Sequence, residues 1–183
     1  MTDRRTKIKF LNPADIEEAL AELAEISAKA GIDTVLVGGV AMSVYGSDRL
    51  TKDVDVACRD ECLPGMKRLK ELPFGGISAR SPSGHPVDII VRDDAYRDLY
   101  EAAILNARDE GLALPVASPE YLAALKMAAA RDKDMLDLET LFRLGVLDME
   151  KARAVIRQHL GEYAAREWDS LISEFEWKSS REK

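Results

Sequence analysis

Three aspartates carry the clearest chemistry in this sequence. Asp53 and Asp55 stand two apart in Asp53-Val54-Asp55-Val56, and Asp88 is set inside the apolar run Pro86-Val87-Asp88-Ile89-Ile90-Val91. From Asp53 to Cys58 acidic residues alternate with apolar or small ones, which fits a strand with two unlike faces, and residues i and i+2 of a strand share a face. Both carboxylates then stand side by side, while Val54 and Val56 point the other way into a core. Two anions held that close repel each other unless a cation sits between them. Mg²⁺ suits such a place: it is hard, favours oxygen, and is commonly held by one or two carboxylates together with substrate phosphates. An aspartate within an apolar strand is costly unless paired or metal-bound, so Asp88 offers a third carboxylate on a neighbouring strand. The plain alternative is that Asp53 and Asp55 are only the wet face of an edge strand, and the residues around them weigh against it.

The elements that must position these acids begin upstream. Thr34 to Val37 is a short β-branched, apolar run and reads as a strand; Gly38-Gly39 turns it into a helical stretch over Val40 to Tyr45. Glycines let a backbone approach a phosphate, and the amides at a helix start favour an anion. Thirteen residues separate Gly39 from Asp53, enough for one helix and a return strand. Arg49 and Thr51 lie just before Asp53, where phosphate contact and bracing of the turn are both open and bracing is preferred.

Before this unit, Asn12 and Pro13 form a cap and first-turn pair for a helix. Ile16, Leu20, Leu23 and Ile26 follow at three- and four-residue spacing, and Gly31 ends the helix. After it, Met66, Leu69 and Leu72 predict a short helix, and Ile77 to Arg80 and Pro86 to Arg92 predict two strands around a Ser-Pro-Ser-Gly turn. Beyond Asp94 the pattern turns helical, with Tyr96, Leu99, Tyr100 and Ala103 on one side; Leu112 to Val116 reads as a last strand. Ser118-Pro119-Glu120 caps a strong helix, and helices are expected over 119–131, 134–144, 149–160 and 162–177. Strands mixed with helices, then helices alone, predict an α/β (α+β) unit with a small mixed sheet over residues 1–116 and a helical extension over 117–183. Trp168, Phe175 and Trp177 read as packing for the last helix, His85 as a loop residue and His159 as a helix-surface residue.

Composition narrows the class. Hydrophobic residues make up 46% of the 183, so a core can be buried. No run reaches the ~18 apolar residues of a membrane helix, and the start, MTDRRTKIKF, has no apolar segment behind its charges. A cytoplasmic protein without a membrane partner is expected. Cys58 and Cys62, the only two cysteines, lack the second pair of a zinc site and read as ordinary reduced thiols. The formal net charge is −7, and basic residues gather only at Arg4, Arg5, Lys7 and Lys9 and at Lys178, Arg181 and Lys183. A phosphate-gripping face is usually basic, so the charge does not argue for RNA.

In its order — Gly-Gly, thirteen residues, Asp-Val-Asp-Val, then an isolated Asp in an apolar strand — the sequence over about residues 33–92 resembles the polymerase-β-type nucleotidyltransferase superfamily. SPEYLAALKMAAARDKDMLDL, from Ser118 to Leu138, further resembles the helical motif of a bacterial branch that includes nucleotidyltransferase toxins of abortive-infection (type IV toxin–antitoxin) systems. The resemblance implies that Gly38 and Gly39 hold an NTP's triphosphate by backbone amides, that Asp53 and Asp55 bind Mg²⁺, and that Asp88 completes the metal site and serves as base on an acceptor hydroxyl. It implies that Lys126 reaches the triphosphate, with Arg131 also binding nucleotide and Arg131 and Asp134 supporting the lysine. The implied reaction moves an NMP from an NTP to a hydroxyl of a protein, a tRNA 3′ end or a small molecule, and admits an antitoxin-like partner protein. Many relatives carry Ser where Gly39 stands; losing that hydroxyl implies weaker nucleotide binding and leaves open the alternative of a non-catalytic nucleotide-binding or regulatory protein on the same fold.

Overall fold

The computed structural model describes residues 10–60 and 63–181; Arg4, Arg5, Lys7, Lys9, Cys62 and Lys183 lie outside them. Helix α1 (Pro13–Ala30) starts where the sequence says it should. Asn12 Oδ1 accepts from the Asp15 amide at 2.8 Å, Pro13 occupies the first turn, and Gly31 closes the helix in the left-handed region at φ 67°. Its buried stripe includes Leu20 and Leu23. Strand β1 (Thr34–Val37) is buried along its length and runs directly into the short helix α2 (Gly38–Val44).

Four more strands complete one mixed sheet: β2 (Val54–Cys58), β3 (Lys67–Glu71), β4 (Ile77–Arg80) and β5 (Pro86–Ile90), in the order β1-β2-β5-β4-β3. Strands β2 and β5 are parallel and every other pairing is antiparallel. A parallel pair needs a crossover connection, and here the β3–β4 hairpin supplies it.

Strand β3 corrects the helix expected at Met66, Leu69 and Leu72. Three-residue spacing signals a helix only when it marks a buried face, and Lys67–Glu71 is exposed throughout, with Leu69 at 50%. What decides the segment is the hairpin: a Pro73-Phe74-Gly75-Gly76 tip returns it to β4. An added Cβ at Gly76 would lie 2.0 Å from the Ile89 carbonyl oxygen, so the tip must lie flush against β5.

Helices α3 (Arg97–Leu105), α4 (Pro119–Ala129), α5 (Asp132–Arg143) and α6 (Met149–Arg181) follow. The expected strand at Leu112–Val116 is reduced to single bridges from Val116 to Leu36 and Arg108. The two helices expected over 149–160 and 162–177 are joined into α6 across a break at Gly161, φ 90° and ψ 173°. Helix α4 is buried from Pro119 through Lys126, as a helix that is apolar nearly all round must be; it packs against α3, α5 and α6. Trp168 and Phe175 are buried, but Trp177 is 56% exposed with Arg181 over its ring, so only the first two serve as packing. His159 is less exposed than expected: its Nε2 is buried without a hydrogen-bond partner among the described residues.

Candidate active site

Strand registry assembles the acids. Val37 pairs with Asp55, Asp55 with Asp88, Asp88 with Ser78, and Ser78 with Lys70, so a single row crosses all five strands. Partners in register point to the same side of a sheet. Asp55 and Asp88 are therefore side by side on adjacent strands, about 4.8 Å between strand axes, and Asp53 lies on the same face of β2 by its i, i+2 relation. Val54 and Val56 face the other way and are fully buried.

The Gly38-Gly39 turn closes this face at the β1 end. Gly38 has φ +65°, and a Cβ there would fall 1.9 Å from Asp55 Oδ2. Only glycine fits, because the carboxylate lies directly over its α-carbon. The Gly39 amide donates to the same Oδ2 at 3.3 Å, so Asp55 occupies an amide of the turn. A Cβ at Gly39 would meet Thr51 Oγ1 at 2.8 Å. Thr51 in turn donates to the Asp53 carbonyl at 2.8 Å, fixing the chain as it enters β2.

Electrostatically Asp55 and Asp88 are strained. Burial, then the charges of Asp53 and Asp88, push the Asp55 carboxyl from 3.8 up to about 7, against smaller pulls from the Gly39 amide and Lys126. Asp88 is also raised, first by burial; Asp53 adds to the rise, while a Ser78 hydrogen bond and the charges of Lys70 and Lys133 oppose it. Among the described residues no three metal-binding side chains converge closely enough to enclose an ion unaided. Carboxylates so placed can hold a hard cation such as Mg²⁺ only where other oxygens complete its shell.

Cations reach the same pocket, of about 510 Å³, from the helices. Lys126 on α4 is buried; its Nζ lies 2.5 Å from Asp137 Oδ2 and 3.2 Å from Asp134 Oδ1. Arg131, just before α5, bonds Asp134 through Nε at 2.6 Å. Burial alone would raise the Asp134 carboxyl, but its bonds from Arg131 and Lys126 hold it below the usual range. Arg49 donates to both Asp137 oxygens at 2.7 and 2.6 Å. The lysine for which the resemblance implies a triphosphate contact is thus anchored by two buried carboxylates, and Arg49 braces through one of them.

All seven expected site residues, Gly38, Gly39, Asp53, Asp55, Asp88, Lys126 and Arg131, line this one pocket. Sequence reasoning missed Asp137, Lys70, Lys133 and an aromatic wall. In that wall Arg92 lies over the rings of Phe74, Tyr96 and Tyr100 at 5.9, 5.1 and 5.5 Å and is paired with Asp94. Asp137 had a signal, its i, i+3 spacing from Asp134 on one helix; Lys70 had none once β3 was read as a helix.

Residues 14–183 match the model of a family described as a nucleotidyltransferase of unknown function (DUF6036). No protein of curated function matches the sequence. Among solved structures, the fold is similar to the antibiotic-resistance factor ANT(2″)-Ia, with a TM-score of 0.56 at 16% identity, covering 85% of this chain and 97% of that one. It is similar to an antigenic nucleotidyltransferase-like protein from Paracoccidioides brasiliensis, with a TM-score of 0.51 at 17% identity over 90% and 95% of the two chains. The lincomycin-bound lincosamide adenylyltransferase LnuA gives a TM-score of 0.50 at 12% identity over 74% and 99%. At these identities the likeness establishes the fold alone, a nucleotidyltransferase-like one.

Proposed function

Because the chain belongs to this nucleotidyltransferase family, we propose that it is an Mg²⁺-dependent enzyme that transfers an NMP from an NTP to an acceptor hydroxyl. The observation that carries this reading is the register pairing Asp55 with Asp88, with Gly38 flush against the Asp55 carboxylate. Asp53 and Asp55 would hold Mg²⁺ with the triphosphate, and Asp88 would complete the set. The metal would supply charge neutralisation at the transferring phosphorus. The protein's own part is as follows. The Gly38-Gly39 backbone and Lys126 take the triphosphate, and Arg131 and Asp134 keep Lys126 in place. The Asp88 carboxylate accepts the proton from the acceptor hydroxyl. The acceptor oxygen bonds to the α-phosphorus, and the bond to the β-phosphate oxygen breaks with its electron pair leaving on pyrophosphate. In this reading the helices after residue 117 complete, with Lys126 and Arg131, a site whose acids come from residues 1–116, and the reaction is cytoplasmic.

The test is incubation with Mg²⁺, host-like lysate and each of four α-labelled NTPs, beside an Asp53→Asn/Asp55→Asn double variant. Label on protein, RNA or a small molecule with the wild type alone is expected, and its location names the acceptor class. Equal labelling by both proteins would defeat the assignment. One observation favours a second reading, a non-catalytic nucleotide sensor: Asp55 already occupies the Gly39 amide. A sensor would gain melting temperature from NTP and release no pyrophosphate. A toxin role would add growth arrest on expression, relieved by a partner antitoxin.

A further inference from the structure

The transferase reading leaves the acceptor open, and the row of residues across the sheet bears on it. In-line displacement places the attacking oxygen and the leaving pyrophosphate on opposite sides of the phosphorus. With the triphosphate at Gly38-Gly39, next to β1, the attacking hydroxyl must arrive from beyond Asp88. The row that runs Val37, Asp55, Asp88, Ser78, Lys70 says what stands there: β4 and then the edge strand β3, two strands from Asp88, about 10 Å away at ordinary strand spacing.

The cations of the pocket divide into paired and unpaired groups. Six line it: Arg49, Lys70, Arg92, Lys126, Arg131 and Lys133. Four are engaged by carboxylates: Arg49 and Lys126 by Asp137, Arg131 by Asp134, Arg92 by Asp94. The ammonium groups of Lys70 and Lys133 have no hydrogen-bond or ion-pair partner among the described residues. They reach the pocket from different elements, β3 and the first turn of α5, and both act electrostatically on Asp88. A lysine in a helix's first turn opposes the helix dipole, so Lys133 is not placed there for the helix's benefit. Two unpaired ammonium groups, that of Lys70 on the strand side beyond Asp88 and that of Lys133 from α5, therefore face the pocket near the third carboxylate in a protein whose formal net charge is −7.

Resting on the transferase reading, we infer that the acceptor is anionic, with a phosphate or carboxylate near its reacting hydroxyl, and that Lys70 and Lys133 hold that anion. The same two charges disfavour a polycationic amino-sugar acceptor, which like-charge contact would repel. The lysines act here as acceptor-binding and specificity-determining groups; their contact is with the acceptor's anion, not with the phosphorus.

The experiment separates lysate on an anion exchanger into retained and flow-through fractions. Each fraction is offered to the wild type with Mg²⁺ and α-labelled NTP, with kanamycin as a polycationic third arm. Label is expected on components of the retained fraction. Label confined to the flow-through fraction, or carried to kanamycin, would overturn this inference and leave the transferase reading standing. Label in no arm would overturn the transferase reading and this one with it. A Lys70→Glu/Lys133→Glu variant should label the retained fraction at least about tenfold more slowly at limiting acceptor, since repulsion replaces attraction, with NTP half-saturation within about twofold of wild type. Lys70→Arg/Lys133→Arg should recover most of the rate. Both lysines are exposed, so melting curves should coincide; should the double variant melt early, the two single Lys→Ser variants take its place. A charge-reversed protein that labels as fast as wild type would overturn the inference, as would one slowed equally at saturating acceptor, which would mark the lysines as tuning Asp88 instead.

Discussion

In and just behind the pocket, two groups of aspartates live by opposite rules. Asp134 and Asp137, on α5, are almost wholly buried, yet each is answered by cations: Lys126 and Arg131 for the first, Lys126 and Arg49 for the second. Asp53, Asp55 and Asp88, on the sheet, line the pocket with no ion pair among the described residues; Asp55 accepts from the Gly39 amide, and its carboxyl is pushed up to about 7. The helical acids are structural counter-ions that fix a lysine. Asp55 and Asp88 carry a cost that the fold relieves only in part, a pattern common at functional sites. Neutralising an acid should therefore stabilise the protein on one side of the pocket, and removing a cation should destabilise it on the other.

Asp55→Asn should break the contrast most sharply. Transferase activity should fall by roughly 10³-fold or more, while the protein becomes more stable at about pH 8 because a buried charge is gone. The sign follows from linkage. Between 3.8 and about 7 the folded protein binds the proton that the unfolded chain has released, so this group's contribution to stability falls as pH rises through that window. Melting temperatures across that window should slope less in the variant; a variant that melts lower than wild type at about pH 8 would refute the account. Lys126→Met should do the reverse. It leaves two buried carboxylates short of a cation, a loss of about 3–5 kcal/mol, to be read from chemical denaturation. Mg²⁺ should raise the wild-type melting temperature at about pH 8 and leave Asp53→Asn/Asp55→Asn unmoved. The smallest effect is expected of Arg131→Ala. Its side chain is 52% exposed, and Asp134 keeps Lys126, so stability should drop by about 0–1 kcal/mol; a larger loss would mean that Lys126 alone does not satisfy Asp134.

Much of this was legible before any coordinates, for local reasons. The Asn12-Pro13 cap, the Gly31 stop, the alternation in Asp53–Cys58 and the apolar strand around Asp88 are written in adjacent residues, and the structure keeps each of them. That Asp88 stands on a strand neighbouring the Asp53-Asp55 pair is readable from an aspartate's cost inside an apolar strand, a local signal of a distant partner, but its register opposite Asp55 is not. What failed was whatever depended on a remote surface. β3 has no buried face to give it a period, and its identity comes from β4 and a glycine tip pressed on β5. Asp137 draws its meaning from Arg49, 88 residues away. Trp177 looks like core by type and is exposed by position.

The fit at Gly38 has a genetic consequence. Every missense change at a glycine codon installs a Cβ, and at this residue a Cβ overlaps the carboxylate of Asp55. The position has no conservative allele. In a saturation library selected for function, its column should read as uniformly null, alanine included, whereas Gly31 and Gly145, with open space around an added Cβ, should return graded scores set by backbone strain alone.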